Sequence, residues 1–475
     1  MKKSLLLLTA LFFTFSIFAQ SDDDLFGSDD DFFGDDGIEE VADVSAKTDL
    51  SKGVLFDTGS IKVGGSLNAG ISTNTILWGP DNEDLGDNIH NTTFTPDLSA
   101  MLSVDARPTE TLRMYTKFGF AYPFEDKATT ELKFTPVDFG FGLPKLQFAT
   151  SAETNIKNWF KLKELFTDFS VKDTAFFRFG IHTVTWGAGY FFSPVSDMIN
   201  SSSIDPENPD KQVDGSLNLR TQVVFPGTQN CLWFYVIPST NFNNQTAESY
   251  ARDTALAGKA DILIGNWEVG LGGLWKYQSA PKAMLTATGS LKKVSFFGEF
   301  VYSYGALSEW QKNTDWDDKT SIFQATAGFS YYWKEPKINL AAQYYFEGND
   351  VDFTKKISMY GHNVALMANK GDLFKNPDLS LSLFAMANFG HKDATIDDII
   401  EMYPEAAQYA TKEQLESAAK EASGLIPSLT ANLMLRYSPV KDMSFGLGPA
   451  LSFKDFETNP TVSFKLSATL GGGKF

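Results

Sequence analysis

Residues 61–72, IKVGGSLNAGIS, decide the reading of this chain. Ile61, Val63, Leu67, Ala69 and Ile71 fall on one parity, and Lys62, Ser66, Asn68 and Ser72 on the other. A β-strand sends successive side chains to opposite faces, so this stretch is a strand with one apolar and one polar face. The next two segments repeat the pattern. Leu98, Ala100, Leu102 and Val104 oppose Ser99, Ser103 and Asp105, and then Leu112, Met114, Phe118 and Phe120 oppose Arg113, Tyr115 and Lys117. Only the turn Arg107-Pro108-Thr109-Glu110 separates these two, whereas a long polar connector, Asn74 to Thr95, precedes them.

Short and long connectors continue to alternate toward the C-terminus. Short turns are expected near Lys172-Asp173-Thr174, Pro226-Gly227-Thr228, Gly265-Asn266, Gly289-Ser290, Lys334-Glu335-Pro336, Lys375-Asn376-Pro377 and Ser438-Pro439-Val440-Lys441. Longer connectors fall near 122–160, 187–214, 240–255, 279–281, 306–318, 348–357, 391–423 and 454–459. Tight turns at one end and longer loops at the other are the signature of a bacterial transmembrane β-barrel. The expected fold is all-β: a single antiparallel transmembrane β-barrel of about 18 strands, with 16 to 20 as the range. An even count puts both termini on the periplasmic side. The count is most open around 256–278 and in the 122–160 connector, which has room for another hairpin. A soluble β-sandwich also alternates. The rings of Tyr122, Trp267, Trp275, Tyr277, Tyr302, Tyr304, Tyr331, Trp333 and Tyr437 near strand ends suit a membrane–water boundary instead.

The two ends of the chain read differently from its body. Lys2 and Lys3, an apolar run from Leu5 to Phe18 and the small Ala19 mark residues 1–20 as a secretory signal, with cleavage after Ala19 or Gln20. Residues 21–58 form an acidic tail, and 59–475 the barrel. The tail carries the near-repeats Asp23-Asp-Leu-Phe-Gly27 and Asp30-Asp-Phe-Phe-Gly34, and residues 21–46 hold eleven Asp or Glu and no Lys or Arg. Such charge density opposes a packed core, so the tail reads as a disordered spacer or as a docking motif for a periplasmic partner. It supplies much of the net charge of −19, and the lack of clustered Lys and Arg excludes a nucleic-acid partner. The whole chain has 42 Phe, yet its mean hydropathy is only −0.17, as expected when half of each strand faces lipid and half faces water. No later run offers the roughly 18 apolar residues of a helical span. In the connector 393–423, Thr395 lies three before Asp398 and Thr411 three before Gln414, which predicts a helical insert in an outer loop, divided at Pro404. In the terminal strand Val462, Phe464, Leu466, Ala468 and Leu470 face lipid, while Phe475, which resembles the terminal aromatic assembly signal of such barrels, is out of phase with them, so either Gly471-Gly472-Gly473 hosts a bulge or the signal is atypical.

The phase of each strand nominates the residues inside. Phe177, Phe179 and Ile181 take the outer face, which leaves Arg178, His182 and Trp186 toward the lumen. Neighbouring strands add Glu164, Asp168 and Ser170 on one side and Asn218, Arg220 and Gln222 on the other. Acidic and basic rows facing each other across a pore would set up a transverse field. The alternative is that these charges pair with one another and fill the wall. The stretch FRFGIHTVTWGAGYFFSPVSDMIN, Phe177 to Asn200, resembles a segment of several bacterial porin-like outer-membrane families: a strand with a basic residue and Gly, then Trp-Gly, then an aromatic–Pro–Asn loop. The resemblance implies a loop over roughly 187–214 that folds into the barrel and narrows it.

These readings point to passive diffusion of small hydrophilic solutes or ions across the outer membrane, with lipid and solute as partners and with no cofactor or energy coupling. A surface barrel that binds a partner through its outer loops is the second reading, and a transporter of hydrophobic substrates, which needs an apolar lumen, the third. Catalysis is not expected. The only histidines are His90, His182, His362 and His391, no pair has metal-ligand spacing, and the single Cys231 allows no internal disulfide.

Overall fold

The computed structural model describes residues 56–474 except 58, 80–84, 91, 123–125, 138–145, 158, 173, 207–212, 240–245, 307–308, 311–313, 349–360, 390–395, 397–411, 413, 417–427, 441–442 and 454–459. The signal, most of the acidic tail and Phe475 lie outside the described residues. The strands are β1 (Phe56–Asp57), β2 (Ile61–Trp78), β3 (Phe94–Thr109), β4 (Leu112–Ala121), β5 (Asp126–Val137), β6 (Leu146–Lys157) and β7 (Phe160–Val171). Then come β8 (Ala175–His182), β9 (Ser216–Val224), β10 (Cys231–Ile237), β11 (Ala255–Ile264), β12 (Trp267–Lys276), β13 (Lys282–Leu291) and β14 (Val294–Tyr304). The series ends with β15 (Ser321–Trp333), β16 (Ile338–Phe346), β17 (His362–Lys370), β18 (Leu379–Phe389), β19 (Ser428–Val440), β20 (Met443–Phe453) and β21 (Thr461–Lys474). Short helices among the described connector residues include α1 (Leu85–His90), α2 (Pro194–Asp197) and α3 (Ala247–Asp253).

Each long strand pairs antiparallel with its neighbours, and β2 pairs with both β3 and β21, so the sheet closes on itself as an 18-strand barrel. The two-residue β1 only extends the edge of β2, Phe56 opposite Val63 and Asp57 opposite Lys62. β5 and β6 form a separate hairpin inside the connector between β4 and β7, the place where the sequence left room for one. Closure satisfies every edge, which is what a sheet in hydrocarbon requires.

Alternation then sorts the side chains. Leu67, Phe179, Phe234, Leu271, Leu285, Leu447 and Leu466 are large, apolar and exposed on the outside. Their neighbours on the other parity are small or polar, as Ser444, Gly446, Gly448 and Ala450 show between Phe445, Leu447 and Pro449 on β20. Aromatic rings mark both edges of this apolar wall. Trp267 and Trp275, both exposed, stand eight residues apart at the two ends of β12. At about 3.3 Å per residue that separation is about 26 Å along the strand, or about 20 Å of height for a strand tilted by about 40°, which covers most of a barrel's lipid-facing band. Among the described residues no helix is long and apolar enough to cross a membrane.

Three expectations change in detail. The turn placed at Gly289-Ser290 lies at Lys292-Lys293, between β13 and β14. Gly289 is a strand residue, and it is glycine because a Cβ there would lie 2.4 Å from the Trp267 ring on the neighbouring strand. In β21 the pairing slips between Thr469 and Gly471, which leaves Leu470 as the extra residue at the edge of the glycine triplet. Of the insert 393–423, only Ile396, Lys412 and Gln414 to Glu416 are described, all helical, with Lys412 and Glu416 paired at 3.6 Å.

Gly289→Val is expected to displace the Trp267 ring and lower the folded fraction, read as loss of heat-modifiable migration on electrophoresis. Gly471→Ala, which meets nothing within 4 Å, should leave stability within about 0.5 kcal/mol.

Candidate functional site

In the connector between β8 and β9, residues 183–206 turn into the barrel rather than out over its rim. Three strands hold it by side chains that reach its backbone. On β14, Glu299 Oε1 accepts hydrogen bonds from the Ala188 and Gly189 amides at 2.7 and 2.6 Å and from Ser193 Oγ at 2.9 Å. Its Oε2 accepts from the Val195 amide at 3.0 Å. On β16, Gln343 accepts from the Phe191 amide at 2.6 Å and donates to the Phe192 carbonyl at 2.6 Å. On β11, Lys259 Nζ donates to the Trp186 carbonyl at 2.9 Å.

Apolar contacts complete the seat. Val184, Trp186, Val195 and Ile199 pack with Tyr235, Ala257, Met284 and Val301 from the wall. Phe191 enters a second cluster with Ala341, Ala365, Met367 and Phe384. Burying four side chains of this size stabilises the docked loop by about 1.5–3 kcal/mol each. Within the loop, Ser193 caps α2 and Pro194 sits at its first position, a helix start read directly from Ser-Pro. Asn200 ties the two arms together, accepting from the Val184 amide and donating to its carbonyl, both at 2.8 Å. Gly187 is required by the close approach: a Cβ there would lie 1.8 Å from Ser193 Oγ and 2.4 Å from Glu299 Oε1.

Arg178 and Asp168 are direct cross-strand partners, joined at 2.6 and 3.1 Å. Asp168 also lies 3.7 Å from Arg113, which bonds Asp105 at 3.0 Å. These charges pair side by side along one wall. Glu164 stands opposite Lys117 on the neighbouring strand. Arg178 lies over the Phe166 ring at 4.0 Å, and Arg220 over Trp233 at 5.4 Å. Asn218 is buried and donates to the Ser216 carbonyl at 2.9 Å, while Gln222 stands between Phe176 and Trp233. His182 is fully buried as the last residue of β8, edge-on to Phe166 at 5.9 Å. Trp186 is not a wall residue: β8 ends at His182, and Trp186 belongs to the infolded loop, T-shaped against Tyr235 at 4.9 Å.

The loop covers one sector of the interior and leaves another open to water. Under it, the Lys259 and Asp261 side chains, paired at 2.9 Å, are 7% and 10% exposed. On the β4 and β7 side Arg113 and Asp168 keep 32% and 23% exposure. Glu299, Gln343 and Lys259 did not emerge from the sequence. Glu299 had one available signal, an acid on the inward parity of the Phe-rich run Phe296 to Tyr304. Among the described residues no group of three or more His, Cys, Asp or Glu could hold a metal ion.

Fold and site together define a transmembrane β-barrel with an infolded loop. Solved structures of similar course include OccK9 (OpdG) of Pseudomonas aeruginosa, at TM-score 0.45 and 10% identity over 87% of this chain and 98% of that one. OprD of the same organism aligns at TM-score 0.40 and 10% identity, over 86% and 95%. A loop-deletion mutant of OmpT, an outer membrane protein of Vibrio cholerae, aligns at TM-score 0.39 and 8% identity, over 87% and 100%. No family model and no curated protein matches the sequence.

Glu299→Ala leaves three amides and a hydroxyl without their acceptor, at about 1–3 kcal/mol each. The loop should undock, and single-channel recordings should show a larger and noisier conductance. Asp197, at the end of α2, supplies a pH handle. Burial, with Glu299 and Glu347 nearby, pushes its carboxyl up to about 7, against smaller opposing hydrogen bonds from the Ile204 amide and Ser203. The docked loop therefore holds this proton to higher pH than a free loop does. Its stability falls as pH rises from about 4 to about 7 and is level above that. Undocking events should be more frequent at pH 8 than at pH 5, and Asp197→Asn should abolish the difference.

Proposed function

We propose that this protein is an outer-membrane channel for passive diffusion of small hydrophilic solutes or ions, narrowed by the loop 183–215. The observation that carries the reading is the divided interior. One sector is sealed beneath the loop, while the wall bearing Arg113, Asp105, Asp168, Glu164 and Lys117 stays polar and in contact with water. A polar, hydrated lane suits charged and hydroxylated solutes and disfavours an apolar cargo. Connector length supports an orientation with the periplasm at the end that carries the short turns, the start of β2 and the end of β21.

Purified protein in planar bilayers should give discrete ohmic current steps, and the absence of current at every voltage would refute the channel. The wall also predicts selectivity. Asp168 is shared by Arg178 and Arg113, so Asp168→Asn leaves two guanidiniums with less counter-charge. The reversal potential in a salt gradient should then move toward anion selectivity relative to wild type.

A further inference from the structure

The short-turn end of the barrel carries an unusual choice of residues. Tight strand connections need backbone in the left-handed region, where glycine is the undemanding choice. Gly227 and Gly265 serve that need at φ 78° and 64°. Elsewhere a lysine takes it: Lys172 at φ 54°, Lys292 at 59°, Lys337 at 59° and Lys375 at 62°, with Asp372 and Phe374 also left-handed in the last of these turns. A Cβ makes this conformation strained, and such strain clusters where a chain meets a ligand. The lysines are also concentrated in space. Three consecutive short turns, those joining β13 to β14, β15 to β16 and β17 to β18, hold Lys292, Lys293, Lys334, Lys337, Lys370 and Lys375 against Glu335, Asp372 and Asp378. Lys337 pairs with Asp372, and Lys370 donates to the Pro336 carbonyl, so the six lysines outnumber the three acids of these turns by two to one. At the opposite end the balance reverses, the sequence between β14 and β15 holding Glu309, Asp315, Asp317 and Asp318 against Lys312 and Lys319.

The chain enters the barrel at this same basic end. Phe56 and Asp57 pair with the start of β2, so the acidic segment joins the barrel at the short-turn rim. In that segment, 21–46 hold eleven acidic residues and no basic one. The nine residues 47–55 span up to about 30 Å and the acidic segment considerably more. That suffices to cross a barrel mouth roughly 35 Å wide, from 18 tilted strands about 4.8 Å apart. We propose that the acidic segment 21–46 of this chain docks electrostatically on the lysine-bearing short turns of its own barrel. The seat explains why lysine stands where glycine is easier, and it sets an anionic strand at one mouth of the lane.

The test uses the mature full-length chain in neutral detergent, in a Cys231→Ser background with a nitroxide at Ser28→Cys. Tumbling should be several-fold slower at about 20 mM salt than at about 500 mM, where the Debye length falls from about 20 Å to about 4 Å. At low salt, Lys292→Glu, Lys293→Glu, Lys334→Glu and Lys375→Glu combined should release the label. So should replacement of Asp22–Asp24 and Asp29–Asp31 by Asn, which leaves the barrel sequence intact and does not depend on the lysine variant folding; heat-modifiable migration reports folding of both. A label equally mobile at both salts in wild type overturns the proposal. If wild type then retains vesicles of phosphatidylglycerol that the lysine variant releases, the rim is a site for lipid headgroups instead.

Discussion

The pairing of β2 with β21 is the constraint on which the rest depends. In hydrocarbon an unpaired amide or carbonyl finds no water, so a sheet there must have no edge. The seam runs from Ser66 opposite Lys474 to Trp78 opposite Val462, over strands separated by most of the chain. It cannot form until every intervening hairpin is in register, because a one-residue slip would turn a strand's apolar set inward. The displaced Leu470 shows how the last strand reconciles length with phase: one residue is extruded so that pairing resumes at Gly471 opposite Ala69.

Closure creates a second problem, a cylinder too wide for wall side chains to fill. A loop folded into it brings backbone amides with no guarantee of partners, and each one left unsatisfied there costs as much as a lost hydrogen bond. Glu299 resolves this by accepting four loop donors at one carboxylate, and Gln343 matches a donor and an acceptor of the next residues. Desolvating Glu299 is costly, and only that full complement of donors offsets it. Asp197, at the end of the short helix that Glu299 holds, then works against the docked state once it ionises. The loop is thus firmly seated at its centre and less stable at its end, the arrangement expected of a restriction that responds to its surroundings.

The alternation at Ile61–Ser72 was enough to read the fold, because a period of two survives any tertiary context that keeps one face in lipid. Turn positions were less legible where glycine serves packing: Gly289 makes room for Trp267, and the lysines that actually form the turn carry no conventional turn signal. Parity puts Arg178 and His182 on one face of β8, and the strand ends at His182, so the period carries no information at Trp186, which lies in the loop. The grip on the loop was out of reach in principle. Ser193 and Glu299 are over a hundred residues apart, and no local pattern links them.

The polar wall raises a question of its own, since Arg178 and Arg220 are directly opposed neighbours on β8 and β9. Like charges so placed repel unless each has separate support. Asp168 neutralises Arg178 through two hydrogen bonds, and the faces of Phe166 and Trp233 hold Arg178 and Arg220 as flat cations over aromatic rings. The rings do more than offset repulsion. They fix guanidinium planes that would otherwise sweep many rotamers, so the entropy of ordering these long side chains is lost at folding and not again when a solute arrives. With Arg220 only 6% exposed and the Arg178 side chain 11%, the rings close off this part of the wall, and Arg113 and Asp168, at 32% and 23%, keep the charged face toward the lumen.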